Sequence, residues 1–374
     1  MHLLYFHGST LRAYDAMGKM AFLEALNPRA LFDSVHMVDL DPRGRTDLEE
    51  VRGRFRFTSV GLERLGPGRL AKLRALRQAV VRLAADPRPE LVVGDDANLL
   101  GLSARWAARR AGAPYALCVF YDNDLHHRLT GRGALGFLSS RRLEAALEWI
   151  VFRGATGVYG GNRGYLDYGL RHGARPERAH LGSWSVDEIF YADPAAAHPD
   201  GREVFFVGRL HPLKYVEDLL DALTRLPPEI RLDVAGEGPH RSRLAERIGA
   251  LGLDGRVRLL GLVSREEVLA RMQAARVLVV TQGFNAAVES LLSGRPVVAY
   301  DHECNAEVVR DGETGLLVPF RDVGALVHAA RRVLEDPALA ARLGAVGRER
   351  MLEECSIPAS IEHRRRFLEG CLAG

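Results

Sequence analysis

Two cations lie in a short segment that joins an apolar run to an amphipathic one. Arg209 directly follows the run EVFFVG, which ends at Gly208, and Lys214 stands two residues ahead of VEDLLDAL. A guanidinium presents a planar fork to two oxygens and an ammonium adds a point charge, so the pair suits a diphosphate. Solvated surface charge is the ordinary alternative for either side chain. Together with the polar segments that follow the neighbouring strands, the spacing of the two cations predicts a diphosphate site.

Two other segments also carry polar or small residues directly after an apolar run. The segment IRLDVAGEGP brings Gly236, Glu237 and Gly238 to the start of a helix, and glycine allows a backbone to approach a ligand closely. A plain tight turn would require the same glycines. In GLVSREEV, Ser264 heads a capping box, which needs no function. The loop around Val263 could still offer backbone groups to a nucleobase.

The segment VTQGFNAAVES follows the apolar run RVLVV and predicts a strand that leads into a helix. The helix would begin at Gly283, Phe284 and Asn285, and Glu289 would lie about one turn further in. A carboxylate there can accept hydrogen bonds from a vicinal diol such as a ribose. Burial of that carboxylate without a partner would be costly, so an ion pair with a nearby arginine is the alternative.

The elements that must position these residues alternate regularly along the chain. Short β-branched runs are separated by Ala/Leu/Arg segments with apolar residues three and four apart, which predicts parallel strands joined by helices. In the first half the predicted strands are 3–6, 90–94, 115–120 and 156–161. In the second half they are EVFFVGR, IRLDVAGEG, RVRLLG, RVLVVTQG and RPVVAY. We therefore predict an α/β protein with two Rossmann-like doubly wound domains, each with its site at the carboxyl ends of the strands.

The domain boundary is predicted in a stretch without periodicity. Residues 183–203 accumulate Pro, Asp, Gly and Ala before the next strand begins. We assign residues 1–185 to an N-terminal domain that binds the acceptor and 186–355 to a C-terminal domain that binds the donor. Residues 356–374 are predicted to form a helix that crosses back to the N-terminal domain.

Composition excludes several classes of protein. The 374 residues carry a net charge of +3 with 26% charged residues, and no basic run alternates with aromatics, so we expect no nucleic-acid partner. No apolar stretch reaches the length of a membrane span. The four cysteines are sparse and unpatterned, which favours a reducing cytoplasm over a disulfide framework or a zinc site.

Taken together, the motifs resemble the second domain of the GT4-like retaining glycosyltransferases, which have the GT-B fold. The matching segments are FFVGRLHPLK, VAGEGP, GLVSREEV, GFNAAVESLLSGRPVVA and DGETGLLVP, in the family's order and spacing between about 200 and 330. The resemblance implies two Rossmann-like domains that face each other across a cleft. It also implies transfer of a sugar from a nucleoside diphosphate sugar, with UDP favoured, to an acceptor hydroxyl or amine.

The resemblance assigns roles to individual positions. The family's G-R-x-x-x-x-K loop binds the donor diphosphate and matches Arg209 and Lys214. The second acid of its E-x7-E motif binds the ribose and matches Glu289. The first acid, which usually touches the transferred sugar, is missing, because this chain has Thr281 followed by Gln282. We therefore expect a donor whose C3 or C4 substituent differs from the usual hydroxyl pair, or a looser choice of sugar.

The remaining assignments complete the predicted site. Glu307 resembles the acid of the family's P-E-[VI] segment. The predicted donor-binding residues are Gly8, Ser9, Gly208, Gly236, Glu237, Gly238, Val263, Thr281, Gln282, Gly283, Phe284 and Asn285. The acceptor side, where the resemblance is weak, is assigned to Tyr121, Asp122 and His126. The acceptor would be a small molecule, a glycan or a lipid-linked group, and the last of these would bring the protein to a membrane surface.

We expect neither a metal nor another cofactor. Asp95-Asp96 and Asp122-x-Asp124 could bind Mg²⁺ or Mn²⁺ together with a diphosphate, but the cations and helix dipoles described above could neutralise the diphosphate instead. Two rival functions remain at this stage. One is a sugar-nucleotide epimerase on the same fold, which would need an acid and a base near the sugar. The other is a protein that binds the nucleotide sugar without transfer.

Overall fold

Each half of the chain folds around its own, mainly parallel sheet. The computed structural model describes residues 1–8, 22–41, 48–62, 68–131, 140–183, 186, 188–194 and 203–374. They belong to two compact units, the first of Met1–Trp184 with Pro358–Gly374 and the second of Ser185–Ile357. Helices pack against both sheets, which confirms the predicted α/β class with two doubly wound domains.

In the described ranges of the first unit, eight strands form a sheet in the order β3-β4-β2-β1-β5-β6-β7-β8. Among the strands that the structure describes here, β3 alone runs antiparallel to its neighbour, at the edge of the sheet. Every residue of β1, β5, β6 and β7 is buried, as is usual for parallel strands covered on both faces. The strands are β1 (His2–Phe6), β2 (Ser34–Asp41), β3 (Leu48–Arg52), β4 (Phe55–Gly61), β5 (Leu91–Asp95), β6 (Tyr115–Val119), β7 (Gly157–Gly160) and β8 (Ala179–Leu181).

Helices cover this sheet, and one of them comes from the end of the chain. Those from the first half are α1 (Phe22–Leu26), α2 (Arg69–Leu83), α3 (Leu99–Ala111), α4 (Asn123–Thr130), α5 (Arg141–Arg153) and α6 (Arg163–Arg171). The C-terminal helix, Ile357–Ala373, buries Phe367, Leu368 and Cys371 against the face of the sheet that carries Tyr5 and Tyr159. A Cβ at Gly157 would lie 2.4 Å from the Cys371 sulfur, so glycine there allows the close packing.

The sheet of the second unit has six parallel strands in the order β11-β10-β9-β12-β13-β14. In sequence order within the unit this is 3-2-1-4-5-6, the arrangement of a dinucleotide-binding domain. The strands are β9 (Glu203–Val207), β10 (Arg231–Ala235), β11 (Val257–Gly261), β12 (Val277–Val280), β13 (Val297–Asp301) and β14 (Leu316–Pro319). The chain reverses its direction of growth between β9 and β12, which are neighbours in the sheet. A crevice is expected beyond their carboxyl ends.

The helices of the second unit follow its strands in turn. They are α7 (Val216–Leu223), α8 (Arg241–Ala250), α9 (Arg265–Ala274), α10 (Phe284–Leu292), α11 (Asn305–Val308), α12 (Val323–Glu335) and α13 (Pro337–Glu354), and Ile357–Ala373 is numbered α14. Apolar clusters fill both sides of the sheet. Among the described helices, none combines the length and the apolar character that a membrane crossing requires.

Candidate functional site

The loops that follow β9 and β12 are tied together at the point where the sheet reverses. The Thr281 hydroxyl donates to the backbone carbonyl of Lys214 at 2.7 Å, and the Lys214 ammonium donates to the backbone carbonyl of Gln282 at 3.0 Å. Thr281 is fully buried. The structure therefore brings Lys214, Thr281 and Gln282 together. The buried threonine side chain binds the neighbouring loop and does not face solvent.

Lys214 places a partly buried positive charge beside the start of α10. Burial lowers the pKa of Lys214 from its ordinary value, and the nearby Glu303 carboxylate opposes that shift. Gly283 precedes the helix with φ 120°, and a Cβ built on it would lie 3.1 Å from the lysine Nζ. A glycine here thus lets the ammonium come close to free backbone N–H groups, which also favour an anion.

Arg209 completes the cationic pair in the loop after β9. Its residue is exposed, whereas Lys214 is half-buried. Within the described parts of the chain, the Arg209 side chain makes no hydrogen bond or ion pair. A cation free of protein partners can engage a ligand without first breaking a contact, so the described loop after β9 offers one held and one open positive charge.

The glycines after β10 are explained by the close approach of two loops. A Cβ on Gly236 would lie 1.9 Å from the Gly208 carbonyl oxygen, and one on Gly238 would lie 2.1 Å from that of Leu210. Glu237 pairs with Arg241 at 3.0 Å. The tight turn that the sequence left as an alternative is therefore present, and the glycines bring the β10 loop against the loop that carries Arg209.

The loop after β11 contains the predicted capping box. The Ser264 Oγ accepts a hydrogen bond from the Glu267 N–H at 3.2 Å and caps α9. Val263, just before it, is half-buried. Arg265, the first residue of α9 after this cap, contacts Glu289 of α10.

Glu289 forms the ion pair that the sequence left as the alternative to a ribose contact. Its Oε1 accepts from Arg265 at 2.9 Å, and its side chain is 13% exposed. A carboxylate has a second oxygen and further lone pairs, so the ion pair leaves capacity to accept from a diol. The ribose contact stays a prediction.

Sequence reasoning missed Glu303, which lies in the turn after β13. The Gln282 amide Nε2 donates to Glu303 Oε1, and the Glu303 side chain is only 16% exposed. The signal was available, because Glu303 follows a predicted strand as the other site residues do. Sequence reasoning chose Glu307 in the same loop, which is half-buried and whose carbonyl accepts from Arg350.

Phe284 and Asn285 open α10 as predicted. Phe284 is half-buried and packs at the margin of an apolar cluster, whereas Asn285 is exposed. Gly8 is the second residue after β1 in the first unit, and Ser9 lies outside the described residues. The site residues predicted in the second unit thus gather at the carboxyl edge of its sheet.

The predicted acceptor residues follow β6 in the first unit. The Tyr121 hydroxyl is hydrogen-bonded to His126 Nδ1. Asp122 caps α4 by accepting from the Leu125 N–H at 2.8 Å, and it also pairs with Arg171 at 3.1 Å. Asp122 therefore stabilises the start of α4 in this structure. Tyr121 is exposed and forms a hydrogen bond with His126.

The paired aspartates that could bind a metal ion have protein partners. Asp95 accepts a hydrogen bond from the Tyr5 hydroxyl at 2.8 Å and forms a second hydrogen bond with His7 Nδ1. Asp96 accepts from the Phe120 N–H at 2.7 Å, and burial, followed by the Asp95 charge, raises the pKa of Asp96 to about 7.

Asp124, the last of these acids, accepts from Arg141 at 2.6 Å and is bonded to His172 at 2.7 Å. In the ranges that the structure describes, no three His, Cys, Asp or Glu side chains are grouped as metal ligands. Asp95, Asp96 and Asp124 thus each have at least one hydrogen-bond partner within the protein.

An open cavity of about 650 Å³ lies beside α7 and α8 of the second unit, and Leu213 and Tyr215, the two neighbours of Lys214 in the chain, line it. Its charges are largely neutralised by one another, since Arg321 pairs with Asp218 at 2.9 Å and Arg247 pairs with Asp221 at 2.6 Å. Neither Lys214 nor Arg209 lines it. The cavity is thus less suited to a diphosphate than the position of the Lys214 ammonium beside the Gln282 carbonyl.

Family models match both halves of the chain. Residues 191–350 match the model described as "Glycosyl transferases group 1", and residues 22–182 match "Glycosyl transferase 4-like domain". Together the two matches cover most of the sequence.

Curated relatives match shorter parts. An alpha-D-kanosaminyltransferase of Streptomyces kanamyceticus is 31% identical over 202 residues, which cover 49% of this chain and 50% of the relative. A D-inositol 3-phosphate glycosyltransferase of Nocardioides sp. is 38% identical over 170 residues, which cover 39% of this chain and 37% of the relative. The chain thus spans about half the length of these relatives or less.

Solved structures match over the whole chain. A sucrose-phosphate synthase of Thermosynechococcus elongatus matches with a TM-score of 0.78 at 20% sequence identity. The match covers 100% of this chain and 99% of the synthase chain. Anabaena HepE in complex with UDP has a TM-score of 0.76 at 16% identity and covers 100% of both chains. At these identities the similarity shows the fold, and it confirms the GT-B architecture.

Proposed function

The chain belongs to the GT4-like group 1 glycosyl transferases, and on that premise we propose that it transfers a sugar from a nucleoside diphosphate sugar to an acceptor hydroxyl or amine. The proposal includes retention of configuration at the anomeric carbon and independence from metal ions. The acceptor is a small molecule, a glycan or a lipid-linked group.

The observation that carries this proposal is the position of the Lys214 ammonium. It lies at the first turn of α10, 3.0 Å from the Gln282 carbonyl, in the loops where the second sheet reverses. When the bond to the anomeric carbon breaks, negative charge develops on the leaving diphosphate. A fixed ammonium, the exposed Arg209 and the free N–H groups of α10 would stabilise that charge, and such stabilisation is usually the largest catalytic contribution.

The proposed reaction needs no enzymic nucleophile. The bond between the anomeric carbon and the phosphate oxygen breaks, and the acceptor oxygen or nitrogen forms a bond to the same face of that carbon. The acceptor proton passes to the leaving phosphate oxygen. The same cations that stabilise the diphosphate therefore serve the chemistry without a metal.

UDP is the proposed nucleotide. The Anabaena HepE structures contain UDP and UDP-glucose, and that protein shares the fold of this chain. Glu289 is proposed to hold the ribose beside its ion pair with Arg265. The four free cysteines, all buried, are consistent with the proposed cytoplasmic location.

The comparisons do not favour the sugar-nucleotide epimerase, because both family models describe glycosyl transferases. The acids that an epimerase would need, such as Asp95 and Asp124, are bonded to protein partners.

The test is a thermal-shift panel of UDP, GDP, ADP and dTDP, followed by incubation with the corresponding glucose donors. We expect UDP to raise the melting temperature most and sugar to appear on an added acceptor. The proposal fails if no nucleotide stabilises the protein or if an epimer forms without an acceptor.

A further inference from the structure

Glu303 occupies an unfavourable backbone conformation. It lies in the turn after β13 with φ 51°, in the left-handed region that glycine adopts without penalty and other residues rarely adopt. Strained residues of this kind tend to persist where their side chains have a function. A glycine would satisfy the turn, so a reason is needed for a glutamate.

The side chain of Glu303 is enclosed even though its residue lies in an exposed turn. The carboxylate is 16% exposed and accepts a hydrogen bond from the amide of Gln282. The backbone carbonyl of Gln282 in turn accepts from the Lys214 ammonium at 3.0 Å. Carboxylate, amide and ammonium thus form one connected group at the carboxyl ends of β9, β12 and β13.

The Glu303 carboxylate is close enough to Lys214 to favour the charged form of the ammonium. Burial lowers the pKa of Lys214, and Glu303 is the first charge that opposes the shift. One oxygen of the carboxylate is engaged by Gln282, and a carboxylate can accept further hydrogen bonds at its remaining lone pairs. Glu303 is therefore an anchored acceptor next to the proposed diphosphate position.

We propose that Glu303 supplies the carboxylate that binds the hydroxyl groups of the transferred sugar, and that Gln282 positions it. This inference rests on the proposed function. The acid missing at Thr281 and Gln282 is then displaced to the next strand, and Thr281 is left to tie the loops together. On this proposal a sugar with ordinary ring hydroxyls, held from the β13 side of the pocket, replaces the altered C3 or C4 substituent that the missing acid alone predicted.

The amide at Gln282 has a specific place in this arrangement. A glutamate there would stand beside Glu303, and two adjacent carboxylates repel each other. An amide donates to the Glu303 carboxylate and holds it in one orientation. We therefore expect the protein to tolerate an exchange of the glutamine and the glutamate between positions 282 and 303. Two glutamates at these positions should be unfavourable.

The inference is tested by calorimetric titration of UDP and of UDP-glucose, UDP-galactose and UDP-N-acetylglucosamine. The quantity measured is the ratio of the Kd for UDP to the Kd for the tightest of the three sugars. We expect Glu303→Gln to lower this ratio at least fivefold, and because the ratio compares two ligands that share the diphosphate, a change in diphosphate binding cancels out of it. The exchange Gln282→Glu/Glu303→Gln should recover part of the ratio, whereas Gln282→Glu alone should not raise it.

Glu303→Gly separates a sugar contact from a structural role. Because glycine relieves the left-handed φ, we expect a melting temperature at or above that of wild type together with the same loss of the sugar ratio. Glu313→Gln, in an exposed pair with Arg310, is the matched control and should leave both values unchanged.

An unchanged ratio in Glu303→Gln, or a Glu303→Gly protein of lower melting temperature with an intact ratio, overturns the inference. Failure of wild type to bind UDP would instead overturn the proposed function, so the two failures are distinguishable.

Discussion

The Thr281 hydroxyl donates to the backbone carbonyl of Lys214 at 2.7 Å, which joins the loop after β12 to the loop after β9. The Lys214 ammonium donates in the opposite direction, to the Gln282 carbonyl. A fully buried threonine thus determines where the cation of the candidate site is held.

Replacement of Thr281 by valine should loosen this arrangement. Valine has a similar shape but no donor, so the Lys214 carbonyl loses a partner, which typically costs about 1–3 kcal/mol of unfolding free energy. Urea denaturation measures this loss. Thr281→Ser keeps the hydroxyl and should lose clearly less stability, and equal losses in the two variants would show that the hydrogen bond is not the cause.

Glu289→Gln should abolish discrimination between UDP and 2′-deoxy-UDP. A hydrogen bond to a charged acceptor is worth about 1.5–3 kcal/mol, so wild type should bind UDP at least about tenfold more tightly than the deoxy analogue. Isothermal titration of both nucleotides measures the preference. Arg265→Ala removes the ion pair but keeps the carboxylate, and should retain the preference. If Glu289→Gln retains the preference for UDP as well, Glu289 forms its ion pair with Arg265 and does not bind the ribose.

The second unit could be predicted from the sequence more fully than the first. Strands β9 to β13 appear as apolar runs directly followed by polar or small residues, and their parallel order places those residues at one edge. In the first unit β3 lies at the sheet edge and mixes charged with apolar residues, and its neighbour β4 mixes polar with apolar residues, so local periodicity did not identify them. Sequence spacing carries little information about such half-exposed strands.

The partners of site residues were harder to predict than the residues themselves. Glu289 was identified, but its bond to Arg265 depends on how α9 packs against α10. The bond between Gln282 and Glu303 joins residues 21 positions apart, on the loops after β12 and β13. Contacts of this kind arise from tertiary packing, which the spacing of residues along one element does not encode.

Arg364→Ala should strongly destabilise the first unit. Arg364 is 6% exposed and donates to the Tyr5 hydroxyl at 2.5 Å, and Tyr5 donates to Asp95 at 2.8 Å. Removal of one member of a buried charged network typically costs about 3–5 kcal/mol. Chemical denaturation should therefore show a loss of this size, whereas Arg366→Ala, on the same helix but 71% exposed, should change stability by less than about 0.5 kcal/mol. Similar losses would contradict the role of Arg364 as a buried anchor.

His172 should contribute stability that declines as pH rises. It lies 2.7 Å from Asp124 and 2.9 Å from Glu148. Burial disfavours its charged form, but the hydrogen bonds to Glu148 and Asp124 outweigh burial and raise the pKa of His172 above its ordinary value of 6.5. The contribution is therefore complete below about pH 6.5 and is lost as pH rises through the folded-state pKa.

The measurement is the difference in unfolding free energy between wild type and His172→Gln from pH 5 to 9. Despite burial, hydrogen bonds with His172 and Arg141 hold the pKa values of Asp124 and Glu148 below their ordinary values, so both acids stay charged over this range. A difference that grows with pH would contradict the account.

The most direct test of the account is the effect of Lys214→Ala on the binding of UDP and of uridine, measured by isothermal titration calorimetry. Lys72→Ala, in α2 of the first unit, is the control. If Lys214 holds the diphosphate, Lys214→Ala should raise the Kd for UDP at least about tenfold, corresponding to about 1.4 kcal/mol, and leave the Kd for uridine unchanged. A Kd for UDP in Lys214→Ala within twofold of wild type would contradict the diphosphate site on which the proposed function depends.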